Sequence, residues 1–371
     1  MPTSRPTRRT VLGALLALPL VLGAAACGDS GSKGATGTTS GSGGDAPGTT
    51  AAPSTEPVTL RLGYFPNLTH APALVGVQEG IFADNLPDNV TLETQTFNAG
   101  PEAVDALFAE SLDITYIGPN PSINAYAQSD GEAVRVIAGA TSGGAALVVR
   151  DGIDTPEDLA GTTLATPSLG NTQDVALRSY LKDQGFETDT AGGGDVSITP
   201  LANSDALAAF VAGDIDGGWV PEPFATRFVQ EGGGHVLVNE ADLWPDGQFV
   251  TTDVLVRTAF LEDHPDVVEA FLKGHLAAIQ AIDDDPDAAK AAANAEIEAI
   301  TDHPLSDDVL NAAWDNLEFT ADPIASSLAD GAQHAQDLGL LDPVDDLAGL
   351  YDLTILNRLL AADGQDEVEG L

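Results

Sequence analysis

The chain has 371 residues, 43% of them hydrophobic, and sets 57 acidic residues against 14 basic ones for a formal charge of −43 at pH 7. A surplus of that size repels nucleic acid and anionic membrane surfaces, which excludes both as expected partners. The single cysteine, Cys27, excludes an internal disulfide and a multi-cysteine metal site.

Residues 1–27 open with Arg5, Arg8 and Arg9, continue with an apolar run over 11–22, and close on Gly23, Ala24, Ala25 and Ala26 before Cys27. This is the order of a signal peptide. The run falls short of the roughly 20 residues that a membrane-spanning helix needs, no later segment reaches that length, and the body is expected to be soluble. Thr7-Arg8-Arg9-Thr10-Val11-Leu12 resembles a twin-arginine export signal, and an ordinary secretory leader has the same features, so both routes stay open. Cys27 resembles the acylated cysteine of a lipoprotein processing site, with Ala24 where leucine is preferred; the other reading is a leader cysteine lost on cleavage. Acylation would anchor the protein to the cell membrane on its extracytoplasmic face.

Residues 28–56, almost wholly Gly, Ser, Thr, Ala, Asp and Pro, cannot bury enough apolar surface to fold and read as a tether. The roughly 315 residues that follow suffice for two lobes. Residues 1–26 hold three arginines and no acid, so their removal takes the charge from −43 to −46. Beyond them only Lys33, Lys182, Lys273 and Lys290 supply lysine, which suits the solvated acidic shell of a salt-adapted protein.

From residue 58 short β-rich runs alternate with helical stretches. Strands are predicted over 58–63, 90–96 and 113–117, helices over 70–79 and 102–109, and further strands over 134–138 and 145–149. This βαβα order implies a parallel sheet covered by helices. A Thr155-Pro156 helix start closed by Gly161 opens a second series. It comprises strands 163–165, 196–200, 215–219 and 235–239 with helices 172–184 and 204–212. After a strand around 249–256 the chain reads as helix over 265–281, 285–300, 306–317, 324–338 and 347–360. The economical arrangement is a first lobe over 57–152 completed by 251–371, with a second lobe over 153–250 inserted and hinge crossings near Val148 and Thr252.

Polar, glycine-containing segments fall just after strands, where open α/β sheets bind ligands. Asn67 and His70 lie in the first, read either as anion donors or as plain helix capping. Asn120 follows the third strand, where turn chemistry is an equal explanation. Ser142, Gly143 and Gly144 permit close backbone approach or a simple turn. Gly170, Asn171, Thr172 and Gln173 give the strongest signal, a strand end, a glycine and a helix N-terminus with side-chain donors, which favours an anion. The segment lacks a Walker lysine and the GxGxxG spacing, which argues against a nucleotide. Trp219 and Glu222 end a strand of the second series, the indole placed to stack on a ligand or to pack in a core, the carboxylate to accept from an amine or hydroxyl.

Five motifs, GYFPNLTHAPALVG at 63–76, IGPNPSINAY at 117–126, GATSGGAALVV at 139–149, TPSLGNTQDVAL at 166–177 and DGGWVPEPFATR at 216–227, stand in the order of a known family. Together they resemble the periplasmic-type substrate-binding proteins of nitrate, sulfonate and taurine ABC importers. The resemblance implies a two-lobed type II periplasmic-binding-protein fold, α/β, each lobe a mostly parallel sheet flanked by helices, with the ligand in the cleft. It implies binding without catalysis, no cofactor and no metal, a monomer, permease subunits as partners, and ligand contacts at the residues named in the five segments, Glu222 either touching ligand or bracing its loop. The oxyanion head is held in that family mostly by neutral donors. An aliphatic sulfonate or taurine is the expected solute, with nitrate, bicarbonate or a thiamine pyrimidine precursor as alternatives. The same fold resembles fungal thiamine-pyrimidine synthases, whose cysteine-rich iron motif and cofactor lysine have no counterpart here.

Overall fold

The computed structural model describes residues 56–371; the leader, Cys27 and all of the expected tether except Glu56 lie outside the described residues. The chain begins β1 (Val58–Tyr64), α1 (Ala71–Gln78), α2 (Ile81–Asn85), β2 (Val90–Thr96), α3 (Gly100–Phe108), β3 (Ile114–Ile117), α4 (Pro119–Gln128) and β4 (Val134–Gly143). It continues through β5 (Ala145–Val149), β6 (Thr163–Thr166), α5 (Thr172–Asp183), β7 (Ser197–Pro200), α6 (Asn203–Ala212), β8 (Gly217–Pro221), α7 (Phe224–Gln230) and β9 (His235–Asn239). The last stretch is β10 (Val250–Arg257), α8 (Thr258–Asp263), α9 (Pro265–Asp284), α10 (Pro286–Thr301), α11 (Asp307–Trp314), β11 (Leu317–Phe319), α12 (Ala325–Asp337) and α13 (Thr354–Ala362).

These strands make two sheets, ordered β11-β4-β10-β3-β1-β2 and β7-β6-β8-β5-β9. In the first, β1 pairs in parallel with β2 and β3, and β10 runs antiparallel between β3 and β4. In the second, β6 pairs in parallel with β7 and β8, and β5 returns antiparallel between β8 and β9. Both ends of the described chain therefore build the first sheet. One face of that sheet packs Leu62, Phe82, Phe271 and Leu272, the other Leu107, Ile123 and Leu328. The second sheet packs Leu177, Tyr180 and Trp219 on one face and Phe210 and Phe228 on the other. Burial on both faces explains why β3, β5 and β8 read as unbroken apolar or small-residue runs rather than alternating ones.

Two crossings join the sheets. The first lies a few residues before the Val148 expected from sequence, so that 145–149 goes with the second sheet. Gly143 and Gly144, with φ of 79° and 72°, break β4 from β5, and 145–149 pairs wholly within the second sheet. Both glycines occupy left-handed backbone that a side chain would strain. The second crossing occupies 240–249, ending just before the expected Thr252, where β10 has begun. Glu240, 2% exposed, anchors it by accepting 2.6 Å from Trp219 Nε1, with the Trp244 indole as a second partner. Trp244 in turn stacks on Phe249, ring centroids 5.8 Å apart.

Candidate functional site

The carboxyl ends of β1, β2, β3, β6, β7 and β8 face one another across a cavity of about 30 Å³. Room of this size holds a small polar head group or a few waters. From the first sheet it is lined by Phe65, Asn67, Thr69 and His70 after β1, by Asn98, Ala99 and Gly100 after β2, and by Gly118 and Pro121 after β3. From the second sheet come Pro167, Asn171, Thr172 and Gln173 after β6, Asn203 after β7 and Pro221 at the end of β8. Thr251 of β10 completes the wall.

Local sequence explains this convergence. Gly100 opens α3, Gly118 is the N-cap of α4, Asn171 caps α5 and Asn203 begins α6. Each α-helix leaves its first-turn N–H groups without intrahelical partners and carries about half a positive charge at that end. Four such ends meet at one cavity, α4 with fewer N–H groups because Pro119 and Pro121 have none, and the lining contains no lysine, arginine, aspartate or glutamate. Fixed partial positive charge without a mobile cation is an environment for an anion.

The side chains add neutral donors. His70, 3% exposed, stacks on Phe65 with centroids 4.5 Å apart, and its Nδ1 accepts from the Phe65 N–H at 3.4 Å. Burial lowers its pKa to about 3, so the ring is neutral, with Nε2 left as the protonated nitrogen. Asn171 Oδ1 accepts from the Asp174 N–H at 3.0 Å and its Nδ2 donates to Gln173 Oε1 at 3.3 Å. Thr172 Oγ1, a hydroxyl that can donate, and the acceptor Asn203 Oδ1 are buried with no protein partner. Below the loop, Asp174 accepts from Thr166 Oγ1 at 2.8 Å and the Gly170 N–H at 2.9 Å. It also pairs with Arg178 at 2.8 Å, both side chains at most 2% exposed. That pair fixes the loop from beneath.

Of the residues expected from sequence, Asn67, His70, Asn171, Thr172 and Gln173 meet at this cavity. The others do not line it. Trp219 is fully buried among Leu147, Leu177 and Tyr180, its N–H spent on Glu240, so it is a core residue of the second sheet. The Asn120 amide turns away to donate to the Gly331 carbonyl of α12 at 3.2 Å. Gly170 has its carbonyl on Asn124 and its N–H on Asp174. Ser142 Oγ accepts from the Phe249 N–H at 3.4 Å, and the Gly143 carbonyl accepts from Thr251 Oγ1 at 2.5 Å. Gly144 and Glu222 line a different cavity behind the crossing. Glu222 accepts from Thr226 and, at 2.7 Å, from Asn316, so it braces. Asn98, Gly100 and Asn203 also line the cavity without having been singled out in the sequence, although the segments around 97–101 and 201–203 also follow strands and start helices.

A family model described as NMT1-like matches residues 53–297. A taurine-binding periplasmic protein of Escherichia coli (strain K12) is 33% identical over 217 residues, 58% of this chain and 64% of that protein. A putative aliphatic sulfonates-binding protein of Bacillus subtilis (strain 168) is 27% identical over 221 residues, 58% of this chain and 62% of its own. The chain thus spans less than two thirds of the length of these curated relatives. Among solved structures, the alkanesulfonate-binding protein SsuA from Xanthomonas axonopodis pv. citri bound to MOPS superposes with a TM-score of 0.65. Identity is 18%, covering 78% of this chain and 96% of that one. The periplasmic nitrate-binding protein NrtA from Synechocystis PCC 6803 gives 0.66 at 15% identity, covering 83% and 89%. The fold is that of periplasmic binding proteins.

Proposed function

The chain belongs to the NMT1-like family, and on that premise we propose that it is the extracytoplasmic solute-binding protein of an ABC importer, capturing an aliphatic sulfonate or taurine without transforming it. The observation that carries this reading is the meeting of four helix N-termini and several neutral donors at one cavity free of charged side chains. A sulfonate needs several donors and no base. Hydrogen bonds to a charged group contribute about 1.5 to 3 kcal/mol each, so a handful outweighs the repulsion of a distant, screened surface charge. The names of the taurine and sulfonate relatives support the same solute class. In this reading the site residues are Asn67, His70, Asn98, Asn171, Thr172, Gln173 and Asn203. Two lobes, one built from both ends of the chain, close on the solute, and Cys27 holds the protein to the membrane beside its permease.

Nitrate or bicarbonate is the second reading, favoured by the small volume of the cavity and by the nitrate-binding structural neighbour. A thiamine pyrimidine precursor loses the stacking partner expected for it, because the Trp219 indole is in the core of the second sheet. Calorimetry against taurine, alkanesulfonates, nitrate and bicarbonate tests the proposal. The expected result is micromolar or tighter affinity for a sulfonate, about −8 kcal/mol. Heat with nitrate alone would transfer the assignment to the second reading, and no heat with any sulfonate overturns the first.

A further inference from the structure

A cavity of about 280 Å³ lies between α5, α12 and the second crossing, and it shares no lining residue with the solute cavity. Its size is close to the lower end of the range that small-ligand sites occupy. Each helix contributes a ring and a carboxylate from one face: Tyr180 and Asp183 on α5, Asp330 and His334 on α12, at the spacings that bring helical neighbours together. The crossing supplies Trp244 and Glu240. The lining thus holds three carboxylates and no lysine or arginine. Lys182, next to Asp183 in the chain, sends its ammonium to the Asp337 carbonyl at 3.0 Å instead.

This lining has the opposite chemistry to that of the solute cavity. Aromatic faces are electron-rich and attract a cation while covering its apolar groups. The Trp244 ring is fixed in place, stacked on Phe249 at 5.8 Å and set at 47° to His334 with centroids 6.1 Å apart. Glu240, 2% exposed, has the two indole N–H groups of Trp219 and Trp244 as its donors. A carboxylate offers about four acceptor positions, so this buried one reaches the cavity with acceptor capacity to spare. Asp183 and Asp330 are exposed and stand where a ligand would enter from solvent. Among the described residues no three acidic, histidine or cysteine side chains are grouped so as to hold a metal ion. Carboxylates spread around rings, with the half-exposed Leu243 beside them, suit a larger cation whose charge is covered by carbon.

We propose that this cavity is a second binding site, for a small organic ammonium ion, with the Trp244 and Tyr180 rings against its alkyl groups and Glu240, Asp183 and Asp330 around its charge. The overall negative field draws such an ion toward the protein, and the rings distinguish it from sodium. The site stands whichever solute the other cavity takes.

Titration calorimetry of the full chain with choline chloride tests the proposal, with ionic strength held at about 0.3 M by sodium chloride so that general attraction to the acidic surface is screened. One saturable site of millimolar or tighter affinity is expected. The neutral carbon analogue of choline, dimethylbutanol, should bind at least about tenfold more weakly, since it keeps the shape and loses the charge. Asp183→Asn combined with Asp330→Asn changes two exposed positions and is expected to weaken choline about fivefold with little change in the urea midpoint. Trp244→Leu should remove measurable choline binding; because that ring also packs on Phe249, the paired asparagine variant keeps the test decisive if the leucine variant unfolds. Absence of saturable choline binding overturns the proposal. So does equal affinity for the neutral analogue, which would mean an apolar pocket, or unchanged choline affinity in the asparagine variant, which would place the ion elsewhere.

Discussion

Single side chains in the site carry two duties that substitution can separate. Asn171 both caps α5 and faces the cavity. Asn171→Ala is expected to cost about 1 kcal/mol of stability for the lost cap and to weaken taurine binding as well. Asn171→Ser keeps a capping oxygen, so urea melts should show near-parental stability while calorimetry still shows weaker binding. His70 is neutral because burial holds its pKa at about 3, so taurine affinity is expected to stay constant between pH 5.5 and 7.5. Tighter binding at the acid end would mean an imidazolium contact. Glu240 has the opposite bias: burial raises its pKa to about 7, outweighing the two indole donors. A carboxyl raised in the folded state binds more protons there than in the unfolded chain. Its contribution is full below about pH 4.5 and is lost as pH rises through 7. Glu240→Gln should therefore lose less stability than the parent between pH 4.5 and 7.5, as read from urea midpoints.

At the scale of elements, the loop before α5 depends on one buried ion pair. Asp174→Asn removes the charge that neutralises Arg178, whose side chain is 2% exposed and whose Nη1 donates to the Asp189 carbonyl at 2.6 Å. An uncompensated buried charge costs about 3 to 5 kcal/mol, and the variant should lose that much in denaturant unfolding along with solute binding. This loop was also the most legible part of the sequence, because capping residues, a left-handed glycine and a helix start signal locally. Strands β3 and β6 and helix α5 were legible for the same reason. Trp219 and Asn120 were not, because whether an indole or an amide faces a cleft or a neighbouring element depends on contacts from residues 21 and 211 positions away. The first crossing was legible only to within a few residues, because 145–149 is apolar enough for either sheet and only its pairing with β8 and β9 assigns it. The short helix α7 and the three-residue β11 carry too little periodic signal to be read in advance.

For the whole molecule the dominant quantity is charge. With 57 acidic residues against 14 basic ones, self-repulsion opposes compaction, and salt relieves it. The screening length falls from about 10 Å at 0.1 M to about 3 Å at 1 M, so the urea midpoint is expected to rise steadily across that range of sodium chloride. A flat response would mean that the surface carboxylates are already neutralised by neighbours. The two indoles that share Glu240 have a practical consequence. Trp219 sits in the core of the second sheet and Trp244 in the crossing back to the first, and the chain holds only three tryptophans. The protein thus contains its own optical gauge. Ultraviolet emission should change as Glu240 titrates near pH 7 and, under the proposed closure of the lobes, again on solute uptake, a change that can be followed in the unlabelled chain.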